Sequence, residues 1–141
     1  MLRQMVRGVL NLEMAAVPSI VDIALDVKPD FCTLVPEKRQ ERTTEGGLDL
    51  RGQGAVIGRV VRTLRDAGIG VSLFIDPEED AARASADLGA VCAELHTGDY
   101  CHAAGNSAAA RRELARLEKA GRAVADAGLR LAAGLGLDYA N

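Results

Sequence analysis

The sequence predicts an α/β fold built around a parallel sheet, and three observations support this prediction. Short apolar runs recur along the chain with amphipathic segments between them, which gives the order β-α-β-α-β-α-β-α-β. The runs barely alternate between apolar and polar residues, as expected for strands buried on both faces. The phrases DAGIGVSLF, ADLGAVCAEL and DAGLRLAAG repeat one device, in which a helix ends at a glycine and a strand follows. Repeated β/α units are therefore expected.

Five apolar runs mark the strands, and three helical stripes lie between them. The predicted strands are VLNLEM (9–14), FCTLV (31–35), GVSLFI (70–75), AVCAEL (90–95) and LRLAAG (129–134). The predicted stripes are Ile20, Ile23, Ala24 and Val27, then Val56, Ile57, Val60, Val61 and Leu64, then Leu114, Leu117, Gly121 and Val124. Pro29 should end the first helix. Asp76-Pro77-Glu78-Glu79 predicts a helix start, with Asp76 as the N-cap and Pro77 at the first helical position.

Two architectures fit such alternation, an open doubly wound sheet and a (β/α)8 barrel. An open sheet that binds a nucleotide usually carries a GxGxxG fingerprint after a strand, and this sequence has none. A barrel typically takes about 250 residues and eight strands. The pattern here gives five runs in 141 residues. Periodicity alone leaves both architectures open.

Composition limits the class of protein and its partners. A chain of 141 residues with 48% hydrophobic and 26% charged residues predicts one globular domain, residues 1–141. The net charge of −3 gives no basic footprint for nucleic acid. No run approaches the roughly 20 apolar residues of a membrane span, and the N-terminus lacks a signal-peptide pattern. We expect a cytoplasmic chain that binds neither nucleic acid nor a membrane.

Three cysteines, an odd number at no framework spacing, suit reduced thiols in a reducing compartment. They are Cys32, Cys92 and Cys101. Because Cys32 and Cys92 lie inside apolar runs, both are predicted to be core residues.

Two carboxylates interrupt apolar strands near their carboxyl ends, where parallel folds place their ligand sites. Glu13 alternates with Leu12 and Met14, so its side chain should point into a barrel or crevice. Desolvation there would raise the pKa of the carboxyl group towards that of a general base. A structural ion pair with a basic neighbour is an equally good interpretation. Glu94 has the same placement and the same two interpretations.

His96, Cys101 and His102 follow the fourth strand and raise the question of a metal site. Their spacing matches no standard zinc pattern. A polar loop that contains two histidines is the commoner explanation, so no metal is expected.

The connection VPEKRQERTTEGGLDL, residues 35–50, is long for a link between a strand and a helix. Thr43, Thr44, Gly46 and Gly47 supply hydroxyl groups, backbone amides and bending freedom, which a flap that grips phosphate requires. A solvated surface loop is an alternative of at least equal weight.

Four segments closely resemble the pyridoxine 5′-phosphate synthase family, (β/α)8 enzymes of vitamin B6 biosynthesis. They are NLEMA (11–15), KPDFCTLVPEKRQERTTEGGLD (28–49), DAGIGVSLFIDP (66–77) and AELHTGDY (93–100). The resemblance extends over nearly the whole chain and implies the parallel β/α units of a TIM barrel, with about five of the eight strands present. It also implies a homo-oligomer.

The resemblance implies a ring-closing condensation of two phosphorylated small molecules, 1-deoxy-D-xylulose 5-phosphate and 3-amino-2-oxopropyl phosphate. The products are pyridoxine 5′-phosphate, phosphate and water, and no metal or organic cofactor takes part. Glu13 falls on the family's general base, and Glu94 on the glutamate that supports the reacting intermediate. Thr43 falls on the first threonine of a TTEGG loop that closes over a substrate phosphate.

The sequence also departs from the family. The family has an Asn-Ile-Asp-His strand, an arginine- and histidine-rich segment, and a Gly-His in its eighth strand, none of which is found here. Leu135 stands where the family has the histidine of Gly-His-Gly, its general acid. We therefore expect an incomplete, impaired synthase that self-associates through open sheet edges. The alternative is a non-catalytic remnant that serves as an interaction or phosphate-binding module.

Overall fold

The computed structural model describes residues 2–37, 46–103 and 105–139. In these ranges the strands are β1 (Asn11–Ala15), β2 (Phe31–Val35), β3 (Gly70–Ile75), β4 (Cys92–His96) and β5 (Arg130–Gly134). The helices are α1 (Leu2–Met5), α2 (Pro18–Val27), α3 (Gly54–Asp66), α4 (Glu79–Asp87), α5 (Gly98–His102) and α6 (Ser107–Asp126). All five predicted strands and the helices between them are confirmed, while α1 and α5 were not predicted.

The five strands form one parallel sheet in the order β1-β2-β3-β4-β5. Each strand pairs with the next strand along the chain, through a helical crossover. A doubly wound sheet would reverse its strand order partway, at the switch point where ligands bind. The sequential order is instead that of neighbouring strands in a barrel, so the fold is α/β and consistent with part of a TIM barrel.

The two faces of the sheet carry different residues. One face packs against the helices. Its residues on the inner strands β2, β3 and β4 are buried together with Ile57, Leu64 and Val124 from the helices, whereas Leu131 on β5 is 53% exposed. We call this face the helix-covered face. The other, which we call the opposite face, carries a row in mutual register that consists of Glu13, Thr33, Ser72, Cys92 and Arg130. Period-two alternation along each strand separates the two sets.

The glycine device predicted from sequence is confirmed at three helix ends. Gly68, Gly89 and Gly128 have φ angles of 80°, 89° and 76°, in the left-handed region that glycine enters without steric cost. In each case the residue after the glycine donates its N–H to a carbonyl in the last helical turn, as Ile69 does to Leu64 at 3.0 Å. This Schellman arrangement ends the helix and directs the chain into the next strand.

Three details of the sequence prediction are wrong. Asp76 does not cap α4, because the helix begins at Glu79 and its N-cap residue is Glu78, which makes no side-chain capping hydrogen bond. Cys92 is half-buried on the opposite face, whereas Cys32 is fully buried as predicted. Some residues of the apolar stripes lie at the solvent side and are about half exposed, namely Ile23, Val56 and Leu114.

The longest helix, α6, carries many charged residues. No helix in the described ranges combines the length and the apolar character that a membrane crossing requires.

Candidate functional site

Glu13 lies in the middle of β1, on the opposite face of the sheet. It pairs in register with Thr33, whose Oγ1 accepts a hydrogen bond from Asn11 Nδ2 at 2.9 Å. Glu13 is exposed. The burial expected from the sequence is therefore not found, and β1 is an outer strand of the described sheet. The carboxylate is accessible to a bound molecule.

Glu94 lies on β4, on the same face as Glu13, and is half-buried. Its neighbours in register are Phe74 on β3 and Ala132 on β5. Its side chain extends towards Gly134 on the adjacent strand β5, where an added Cβ atom would collide with Glu94 Oε1. Gly134 therefore makes the space that this carboxylate occupies. This role of Gly134 was not predicted from the sequence, although a glycine within a strand is a signal of close approach.

A cavity on the opposite face brings several polar groups together. Its lining includes Asn11, Thr33, Ser72, Glu94 and Arg130. The lining thus combines a carboxylate, hydroxyl groups and a guanidinium group, which can hold and exchange protons with a polar ligand and bind an anion. Both predicted carboxylates lie on this face.

The end of the long connection packs tightly against the end of β3. Gly47 donates its N–H to Asp76 Oδ1 at 2.8 Å, and Leu48 donates to the Phe74 carbonyl at 2.8 Å. An added Cβ atom at Gly47 would collide with the backbone of Ile75 and Asp76, and one at Gly46 would lie 2.7 Å from Asp76 Oδ2. Both glycines are needed for this close approach. In this arrangement the Gly47 amide is already engaged.

The other two residues predicted to bind substrate, Thr43 and Thr44, lie outside the described residues. Their predicted contact with a substrate phosphate remains a prediction, as does that of Gly46 and Gly47.

His96 is the last residue of β4 and is 5% exposed, so the prediction that it belongs to a polar loop is wrong. Its ring meets the ring of Phe74 edge to face, with 5.3 Å between the centroids. Its Nδ1 lies 3.7 Å from Asp76 Oδ1, and its Nε2 is buried without a hydrogen-bond partner. The described residues contain no group of three or more His, Cys, Asp or Glu that could hold a metal ion.

Thr97 links β4 to the turn after β5. It is buried, and its Oγ1 lies 2.7 Å from the Gly134 carbonyl oxygen and 2.6 Å from that of Leu135. Leu135 has a φ of 87°, which is unusual for a residue with a branched side chain. The contact of the Thr97 hydroxyl was not predicted from the sequence. The Thr97 hydroxyl thus holds the backbone at Gly134 and Leu135, beside Glu94.

Comparison with known proteins identifies the family. The family model described as "Pyridoxal phosphate biosynthesis protein PdxJ" matches residues 1–141. The chain is 55% identical over 142 residues to a pyridoxine 5′-phosphate synthase of Synechococcus sp. (strain JA-2-3B'a(2-13)), and the match covers 100% of this chain and 59% of the relative.

Two further relatives carry the same name. The pyridoxine 5′-phosphate synthase of Nostoc punctiforme is 54% identical, with 99% of this chain and 58% of the relative covered. The pyridoxine 5′-phosphate synthase of Geotalea uraniireducens is 50% identical, with 100% of this chain and 59% of the relative covered. The chain thus spans less than two thirds of the length of these relatives. Its match to the family model extends from the first residue to the last, and the chain belongs to the PdxJ family of pyridoxal phosphate biosynthesis proteins.

Proposed function

We propose that the chain provides part of a pyridoxine 5′-phosphate synthase, with Glu13 and Glu94 as its catalytic carboxylates. The reaction is the condensation of 1-deoxy-D-xylulose 5-phosphate with 3-amino-2-oxopropyl phosphate. The observation that carries the proposal is the position of the two carboxylates, which lie on one open face of the sheet in a chain of the PdxJ family. Cytoplasmic location and self-association belong to the same proposal.

Glu13 acts as the general base in this proposal. Ring closure between an amine and a carbonyl compound passes through a Schiff base and an enol, and each step moves a proton. Glu13 is exposed on the face where a substrate would bind, next to the Thr33 hydroxyl. An accessible carboxylate can take a proton from a substrate carbon once that carbon is held nearby.

Glu94 supports the intermediate from β4, three strands away from Glu13 on the same face. Its half-buried carboxylate sits over Gly134, and the Thr97 hydroxyl holds the adjacent backbone. A carboxylate fixed in this way can accept hydrogen bonds from the hydroxyl and amine groups that form during condensation. Thr43, Thr44, Gly46 and Gly47 complete the proposal as the phosphate-binding segment. No cofactor is assigned, because proton transfer and dehydration use only acid and base groups.

Leu135 favours a second candidate, a phosphate-binding or interaction module without catalysis. Its side chain follows β5 near Thr97 and is 42% exposed, but it has no group that donates or accepts a proton. A family member that needs a proton donor at this position would lose the proton-transfer step that the donor carries out. We therefore expect the chain alone to form at most a trace of product.

The test is product formation in two settings. The first uses the purified 141-residue chain with both substrates. The second uses a chimera in which this chain replaces the 142 aligned residues of the Synechococcus relative. We expect Leu135→His to raise the activity of the chimera, and Glu13→Gln to lower it on the order of 10²- to 10⁴-fold.

Glu118→Gln is the matched control, because Glu118 is an exposed glutamate on α6. It should leave turnover unchanged. A folded chimera that stays inactive with Leu135→His, while the parent relative is active, would overturn the synthase proposal and favour the module.

A further inference from the structure

We propose that Asp76 and His96 form a positioning pair that holds Gly47, the return of the long connection, at the end of β3 and beside the strand that carries Glu94. Neither residue was assigned a role in the synthase site. The part of the inference that concerns turnover rests on the proposed function, whereas the pair itself stands on the geometry.

Asp76 joins three segments through one carboxylate. Its Oδ1 accepts the Gly47 N–H at 2.8 Å and lies 3.7 Å from His96 Nδ1. Its Oδ2 lies close to Gly46, where no side chain would fit. A charge-assisted hydrogen bond to a backbone N–H is shorter and stronger than a neutral one. Asp76 is therefore placed to fix both the loop end and the histidine ring.

The surroundings of His96 indicate which of its nitrogens carries the proton. Nε2 is buried and has no partner, so a proton there would be an unpaired buried donor, which is unfavourable. The same state would turn the Nδ1 lone pair towards the Asp76 carboxylate. A proton on Nδ1 instead faces that carboxylate at 3.7 Å and is attracted to it. The geometry favours the state with a proton on Nδ1.

Phe74 makes a second set of contacts, which link His96 to the end of the long connection and to Glu94. Phe74 holds the His96 ring edge to face, and its carbonyl accepts the Leu48 N–H. Phe74 also pairs in register with Glu94. His96 lies two positions after Glu94 on the same strand and face. Displacement of the pair would thus move both the loop end and the strand end that places Glu94.

The first experiment measures the pair directly, by NMR on the 141-residue chain without substrate. Nitrogen-15 shifts of the imidazole should show a proton on Nδ1 of His96. Asp76→Ala should move the Gly47 amide proton upfield, because its acceptor is lost. Asp76→Asn keeps an acceptor oxygen but removes the charge, so the change in the Gly47 shift should be smaller than that in Asp76→Ala.

Asp87→Asn is the control, since Asp87 is an exposed aspartate at the far end of α4. It should leave both signals unchanged. A neutral His96 with its proton on Nε2 in the unaltered chain would overturn the pair. A Gly47 amide proton shift that does not change in Asp76→Ala would also overturn it. Thermal unfolding of each variant identifies any that fail to fold, and Asp76→Asn then gives the decisive comparison.

The second experiment measures turnover in the chimera described above. Asp76→Ala should lower kcat on the order of 10- to 100-fold, as expected when reacting groups are displaced by about 1 Å. Asp76→Asn should restore part of that loss. An unchanged kcat would overturn the positioning role in turnover. An inactive parent chimera would instead contradict the proposed function, while the NMR result would still decide whether the pair exists.

Discussion

The two faces of the sheet use the same strands for different purposes. On the helix-covered face, Cys32, Leu34, Val71, Leu73 and Ala93 are 0% exposed and belong to the core. On the opposite face, the row in register runs from the exposed Glu13 to the exposed Arg130, with the buried Thr33 and Ser72 between them. On β2, β3 and β4, core residues of the helix-covered face therefore alternate with residues of the opposite face.

This separation explains how the site can change without loss of the fold. A side chain on the helix-covered face is surrounded by close-packed apolar neighbours, so its removal leaves a cavity. Glu13 and Arg130, at the two ends of the row on the opposite face, are exposed and can be polar. Barrel enzymes use the same division, with chemistry on strand ends and loops and stability in the packed layer. Substitutions on the two faces should therefore differ in their effect on stability.

The largest expected difference in the free energy of unfolding is between substitutions at two adjacent residues of β3. Leu73→Ala should lower the free energy of unfolding by about 2 to 5 kcal/mol, because it removes a fully buried side chain from the core. Ser72→Ala should have almost no effect or a small stabilising one, since the Ser72 hydroxyl is buried without a hydrogen-bond partner. Urea unfolding of the chain and both variants measures the difference. Similar losses for the two variants would contradict the comparison.

Cys32, on the helix-covered face, extends the comparison to ionisation. Burial raises the pKa of the Cys32 thiol from 9.0 to about 11. The folded chain therefore keeps a proton that the unfolded chain loses between these values. The resulting stabilisation is complete below pH 9 and is lost as the pH rises to 11. The free energy of unfolding should fall over this range, and the fall should be smaller in Cys32→Ala.

Labelling with a thiol reagent gives the matched control. Cys92, on the opposite face, and Cys101 are only partly buried, so both should react in the folded chain. Cys32 should react only after denaturant is added. Reaction of Cys32 at the rate of Cys92 in the folded chain would break the distinction between the faces.

The sequence could predict the fold because its signals are local. Apolar runs and glycine helix ends depend on residues close together in the chain, and the three left-handed glycines lie where the repeated phrase predicts them. Asp76 shows the limit of local signals. Its position before Pro77 resembles a helix cap, but the carboxylate binds Gly47, which is distant in sequence. A contact across the fold thus overrides a local preference.

The candidate site was predictable in part. Alternation along β1 and β4 places Glu13 and Glu94 on one face, as the sequence indicates. Periodicity could not predict that Glu13 is exposed, since exposure depends on which elements cover the face. It also could not predict the burial of His96 or the Thr97 hydroxyl contact, because both depend on neighbouring strands and turns.

The smallest expected effect concerns Arg130, at the end of the polar row. Its guanidinium carbon lies 5.8 Å from the centroid of the Phe31 ring, a cation–π contact at an exposed site. Such contacts contribute about 0.5 to 1 kcal/mol. Arg130→Ala should therefore lower the free energy of unfolding by no more than that, and Arg112→Ala, at an exposed position on α6, should change it less.

A double-mutant cycle with Phe31→Leu isolates the Arg130 contact from other effects of each substitution. A coupling energy near zero would show that the pair adds nothing to stability. A loss above about 2 kcal/mol for Arg130→Ala would have a larger consequence, because typical surface substitutions stay within about 0.5 kcal/mol. The opposite face would then contribute to stability like the helix-covered face, and its polar row could not change freely to suit the chemistry of the site.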